Sequence, residues 1–225
     1  MAFQDFTTYT EVDPNSAIAV AANTITSTVD SDETAYVYKD FGVDHFAGDF
    51  EHLVGVKCNS ELLNNTFSQF WMLANDVEDS FASFSNGHSH IAVGVRDDIE
   101  EIRLQECDSG SVYLDTFRLT VGTQYYLTIK RDETAGTYGT MYVYIFTDAA
   151  RTTLADTLTV ALHTSKKDFR YLFSVNTWDN SIGGRATDIT ITNLDLQEAT
   201  ASLFLYPFAS SFGLGGSGRF GVQES

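Results

Sequence analysis

Proline and cysteine are scarce, with two of each in 225 residues. Two thiols do not make the disulfide framework of a small secreted scaffold. Cys58 and Cys107 either form one bridge, if their strands are neighbours, or remain two buried or idle thiols. Basic side chains are also few: 13 Lys and Arg stand against 31 Asp and Glu, a formal net charge of −18. A field of that sign repels nucleic acid and anionic membrane surfaces, so neither is an expected partner. Solubility, repulsion between unrelated molecules and cation binding are its natural uses. No apolar run reaches the length of a membrane span. The first twenty residues lack the basic start and continuous apolar stretch of a classical signal, so a soluble chain without classical export is expected. Nucleophile signatures are missing too: no Gly-x-Ser-x-Gly occurs, and the histidines at 45, 52, 88, 90 and 163 have no triad context.

What the chain has is strand. Short runs rich in Val, Ile, Thr, Tyr and Phe recur at residues 18–20, 36–38, 50–58, 69–74, 89–97, 101–107, 112–120, 125–131, 141–147, 157–162, 169–178 and 189–196. Gly, Asn, Asp and Ser clusters separate them at the spacing of two-sheet sandwiches. Little room is left for helices beyond a short turn at residues 62–67. An all-β, antiparallel β-sandwich is therefore expected over residues 1–197.

Alternation assigns faces to several runs. Ile91, Val93 and Val95 point one way, and His88, His90, Arg96 and Asp98 the other. Ile102 and Leu104 oppose Glu101, Arg103 and Gln105. In residues 169–178 the pattern buries Phe169, Tyr171, Phe173 and Val175, leaving Arg170, Ser174, Asn176 and Trp178 on the second face. Around the first tryptophan, Phe70 and Met72 oppose Gln69, Trp71 and Asn75. If these four strands share a sheet, one face carries both tryptophans among amides, histidines and arginines. Residues 125–131 and 141–147 flank a glycine-containing turn suited to a hairpin, and their nearly continuous apolar character places them centrally, covered on both faces.

Composition changes after Gln197. Residues 198–225 form an expected C-terminal arm in which Phe204, Tyr206, Phe208, Phe212 and Phe220 punctuate a Gly/Ser-rich stretch. A flexible linker would be polar. Aromatics that each bury ~150 Å² or more gain free energy only when covered, by the chain's own sandwich or by a neighbouring subunit. Phe3, Phe6 and Tyr9 make the N-terminus a second candidate exchange segment.

The order TVGTQYYLTIKRD, MYVYIFTDAARTTLADTLTV, FRYLFSVNTWDN resembles the concanavalin A-like lectin/glucanase superfamily, including laminin G-like jelly rolls, over roughly residues 3–197. The segments DFGVDHFAGDFEHLV and FWMLAND are also similar to those of phage and environmental structural proteins of this fold. The resemblance implies a curved sheet whose concave face binds or cleaves glycans. On it, Trp71 or Trp178 would stack on a sugar ring while Asn75, His90, Arg96, Arg103 and Asn176 supply directional hydrogen bonds. Glycosidases of this fold set two glutamates around an aspartate on one strand. Here Glu101 to Glu106 carries Arg103 between its acids, and alternation puts the two glutamates on opposite faces. The alginate-lyase pattern Gln-x-His is also missing, so no catalytic residue is assigned.

Two metal patterns remain. His88-Ser89-His90 sets two imidazoles on one strand face without an assigned third ligand. Calcium would take carboxylates from residues 30–33 or 76–79, neither an EF-hand. Asn64-Asn65-Thr66 is a lone glycosylation sequon. The leading expectation is a non-catalytic structural subunit of a virion or extracellular filament, with a lectin-like, glycan-binding fold, self-associating through a terminal arm as a homo-oligomer. The alternatives are a free-standing carbohydrate-binding module and a glycan-cleaving enzyme with an atypical site.

Overall fold

The computed structural model describes residues 2–30, 32–60, 67–96, 100–181 and 187–198. Fourteen strands appear among them: β1 (Thr10–Val12), β2 (Ile18–Ala21), β3 (Thr24–Ser27), β4 (Tyr36–Asp40), β5 (Phe50–Cys58), β6 (Phe67–Ala74), β7 (His90–Arg96), β8 (Glu101–Asp108), β9 (Ser111–Arg118), β10 (Gln124–Asp132), β11 (Thr140–Phe146), β12 (Leu154–Ala161), β13 (Tyr171–Thr177) and β14 (Ile189–Asp195). One short helix, α1 (Ser80–Ser85), joins β6 to β7. All twelve strand runs expected from the sequence are present. The short, threonine-rich β1 and β3 were not expected. The turn expected at 62–67 lies almost wholly outside the described residues.

The strands form two seven-stranded antiparallel sheets, ordered β1-β4-β13-β6-β7-β8-β9 and β12-β11-β10-β5-β14-β3-β2. Neighbours distant in sequence, such as β4 beside β13 and β10 beside β5, make this the jelly-roll form of sandwich. The four strands singled out by alternation do lie together, as β13-β6-β7-β8. In this block Ile91, Val93, Val95, Ile102 and Leu104 face inward, meeting Val54, Val56, Leu127, Ile129, Val143 and Ile191 from the second sheet. Burial of such a layer is the main source of stability.

Two β-bulges change the expected faces. In β6 the pairing with β7 slips between Gln69 and Trp71, so Phe70, Trp71 and Leu73 all join the inter-sheet core, while Met72 and Ala74 turn outward. In β13 the pairing with β4 slips between Phe173 and Val175. Leu172 and Val175 therefore point inward, and Tyr171 and Phe173 join Tyr36, Tyr38, Met72 and Ala92 in a separate outer cluster. The expected burial of Tyr171 and Phe173 in the main core is thus corrected. So is the double coverage of the β10–β11 hairpin, whose Tyr142 and Tyr144 stay half-exposed on the outer face of the second sheet, stacked with centroids 6.2 Å apart.

Cys58 and Cys107 are both buried, one in each sheet, and are not bridged to each other. Phe6 and Tyr9 pack into the chain's own core, and Gln4 and Phe6 donate backbone hydrogen bonds to Leu194 and Ala22. Of the expected C-terminal arm only Glu198 is described, 2.5 Å from His45; Phe204, Tyr206, Phe208, Phe212 and Phe220 lie outside the described residues, as does Asn64. Among the described residues no helix is long and apolar enough to cross a membrane.

Candidate functional site

A groove of about 340 Å³ opens on the outer face of the first sheet, at its β8–β9 end. Its floor follows from register. Arg96 pairs with Glu101 and Gly94 with Arg103, so Arg96 and Arg103 stand diagonally on one face of neighbouring strands. Gln105 is next along β8, and its partner Leu114, with Val112, forms an apolar rim on the edge strand β9. Trp178, Asn180, Phe67 and Phe84 close the opposite side.

Local sequence builds the aromatic wall. Asp79 caps α1, accepting hydrogen bonds from the Phe81 and Ala82 amides, each 2.9 Å long. Burial nevertheless pushes its carboxyl upward from the usual carboxylate range. Residues three apart share a helix face. Ser80 and Ser83 dock on the sheet: the Ser80 hydroxyl donates to Thr177 O at 2.7 Å, and Ser83 Oγ lies 2.8 Å from His90 Nδ1. Phe81 and Phe84 take the next face and meet Trp178, with centroids 5.3 and 5.5 Å from its ring. On the third side Phe67 lies 6.3 Å from Trp178, with the Arg103 guanidinium 5.3 Å over its ring. Gly94 makes this possible, since a Cβ there would come within 2.5 Å of the Phe67 ring and 2.7 Å of Ser68 O.

Three of the seven residues expected to bind a glycan, Arg96, Arg103 and Trp178, meet in this groove. The other four lie outside it. Trp71 is wholly buried between the sheets, its indole N–H donating to His52 Nδ1 at 3.1 Å. Asn176 is buried beneath the β6–α1 connection, accepting from the Ser80 amide at 3.0 Å and donating to Glu78 O at 3.0 Å. His90 is covered by α1, and burial pushes its pKa down to about 3. Asn75 braces the start of β13, donating to Asp168 O at 2.8 Å and accepting from the Arg170 amide at 3.0 Å.

The expected imidazole pair on β7 does not form. The strand begins at His90, while His88 lies outside it, 2.5 Å from Glu78 Oε1. Glu101 and Glu106 do fall on opposite faces. Glu106 is fully buried at the inter-sheet end, accepting from the His163 amide and lying 3.9 Å from Lys167 Nζ. Phe67, Phe84, Gln105, Val112, Leu114 and Asn180 were not anticipated as groove residues. The Phe81-x-x-Phe84 spacing beside Asp79 and the alternation of Val112 and Leu114 were the legible signals.

No family model and no curated protein matches the chain. Solved structures do. A legume lectin-like domain from Entamoeba histolytica is similar at a TM-score of 0.54 and 12% identity, over 85% of this chain and 90% of that one. An alginate lyase is similar at 0.52 and 12%, over 84% and 86%. An endo-β-1,4-glucuronan lyase from Trichoderma reesei is similar at 0.51 and 10%, over 83% and 85%. Identities this low show the fold, and the fold is a concanavalin A-like β-sandwich.

Proposed function

We propose that the chain is a non-catalytic carbohydrate-binding protein whose site is the groove of Trp178, Arg96, Arg103 and Gln105. The observation that supports it is the pairing of a half-buried indole with two guanidiniums and an amide across one cleft. A pyranose has apolar C–H faces and a hydroxyl rim. An aromatic wall takes the face, while fork-shaped donors and an amide take the hydroxyls. The lectin-like fold of the neighbours agrees with this use. A glycan array probed with the full chain tests it. Trp178→Ala is expected to weaken the best-bound glycan at least about tenfold, as loss of a central aromatic anchor does. Trp71→Phe, in the core, is expected to leave binding within about threefold, a difference under ~1 kcal/mol. Incubation of the bound polysaccharide with the protein is expected to release no new reducing or unsaturated ends.

We further propose that this binding domain is a subunit of a larger assembly, a virion or extracellular filament, joined through the segment 201–225. The support is compositional: five aromatic residues in a Gly/Ser-rich stretch need a covering surface. The acidic surface keeps unrelated copies apart.

A further inference from the structure

The connection between β6 and β7 brings together side chains that lie on either side of α1. Asp76 and Glu78 follow β6, two residues apart in the bent segment that leads into α1. His88 returns to them because α1 ends in a tight reversal: the Gly87 amide donates to Phe84 O at 3.1 Å and the His88 amide to Ser83 O at 2.9 Å, with Gly87 at a φ of 75°. One carboxylate oxygen from each acid and His88 Nδ1 all lie within 4.8 Å of one another. Nδ1 is 2.5 Å from Glu78 Oε1 and 3.3 Å from Asp76 Oδ2. The second Glu78 oxygen is held by Asn86 Nδ2 at 2.9 Å, which fixes the carboxylate plane.

We propose that Asp76, Glu78 and His88 bind a divalent first-row transition ion, of the zinc or manganese kind, through two carboxylate oxygens and one imidazole nitrogen. Donors about 2.1 Å from a tetrahedral ion sit about 3.4 Å apart. The Asp76–His88 spacing already has that value, and the Glu78–His88 contact has to open by less than an ångström. Charge points the same way. Two carboxylates carry −2, which a divalent ion neutralises. The imidazole selects the ion, because calcium and magnesium take oxygen ligands and transition ions accept nitrogen. Remaining coordination positions face solvent, since Asp76 and His88 are half-exposed. The ion clips both ends of a thirteen-residue excursion (residues 76–88), so it stabilises α1 whether or not the groove binds sugar.

Thermal unfolding and titration calorimetry of the full chain, stripped with EDTA, test this with the metals alone. Zinc or manganese is expected to raise the melting temperature by a few degrees, reversibly with EDTA, and to bind with one-site stoichiometry. His88→Gln and Asp76→Asn are each expected to lower that affinity by at least about tenfold. Neither substitution touches the core, so both variants are expected to melt cooperatively without metal. Unchanged melting with both ions, affinities in both variants equal to that of the unaltered chain, or tighter binding of calcium than of zinc and manganese would each overturn the proposal.

Discussion

At the residue scale the two tryptophans sit in opposite settings, Trp71 buried between the sheets and Trp178 half-buried at the groove. Trp71 fills the space between the sheets beside Phe50 and His52, with ring centroids 6.0 and 5.7 Å away. Trp71→Ala leaves a large cavity and orphans the His52 acceptor, so a loss of about 3–5 kcal/mol is expected in urea unfolding. His52 makes a second, pH-dependent prediction. Burial, reinforced by the charge of His45, pushes its pKa from the ordinary 6.5 down to about 3. Above pH 6.5 the ring is neutral folded and unfolded and contributes nothing to the slope. Below 6.5 the unfolded chain takes up a proton that the folded chain refuses, so stability falls progressively toward pH 3, by at most on the order of 5 kcal/mol. His52→Gln keeps an acceptor for the Trp71 indole without a titrating group. Denaturation between pH 7 and 4 is expected to show a shallower acid limb for that variant than for the unaltered chain.

At the element scale, strand identity was legible and strand phase was not. Period-two alternation in β7 and β8 survives intact because neither strand has a bulge there; Ile91, Val93, Val95, Ile102 and Leu104 fall where their spacing put them. In β6 and β13 one extra residue reverses the phase, and a run such as Gln69-Phe70-Trp71-Met72, apolar on both sides of the bulge, carries no local mark of the slip. One expected site residue was lost for that reason: Trp71 was placed on the wrong face. Asn176 and His90 were placed on the correct face, but α1, a six-residue helix not expected from the sequence, packs over them. The buried ionic group at the end of β8 was equally illegible, because its partners come from 57 and 61 positions further along the chain. Glu106 there lies beside Lys167, and Asp108 accepts from Lys167 Nζ at 3.1 Å and from Ser89 Oγ at 2.9 Å. Glu106→Gln removes the fully buried charge that faces His163 and Lys167. A loss of about 3 kcal/mol is expected, measured by chemical unfolding at neutral pH.

For the whole molecule, two sheets enclosing one apolar layer give a rigid scaffold, and the groove sits where the first sheet, α1 and the segment after β13 meet. The chain as a whole is strongly acidic, and two of its 13 basic residues, Arg96 and Arg103, converge on the groove. The proposed assembly is tested separately at this scale. Removing residues 201–225 is expected to convert a defined multimer into a monomer of lower particle mass by light scattering, with glycan binding per subunit unchanged. Equal subunit number with and without the segment would remove its assembly role and leave the groove untouched.

Carbohydrate recognition by the outer face of the first sheet is checked by a crystal structure of the chain bound to its preferred array glycan. A sugar ring is expected flat against Trp178, with its hydroxyls hydrogen-bonded to Arg96, Arg103 or Gln105. A glycan seated elsewhere, such as on Tyr142 and Tyr144 of the second sheet, with the groove vacant, would contradict it.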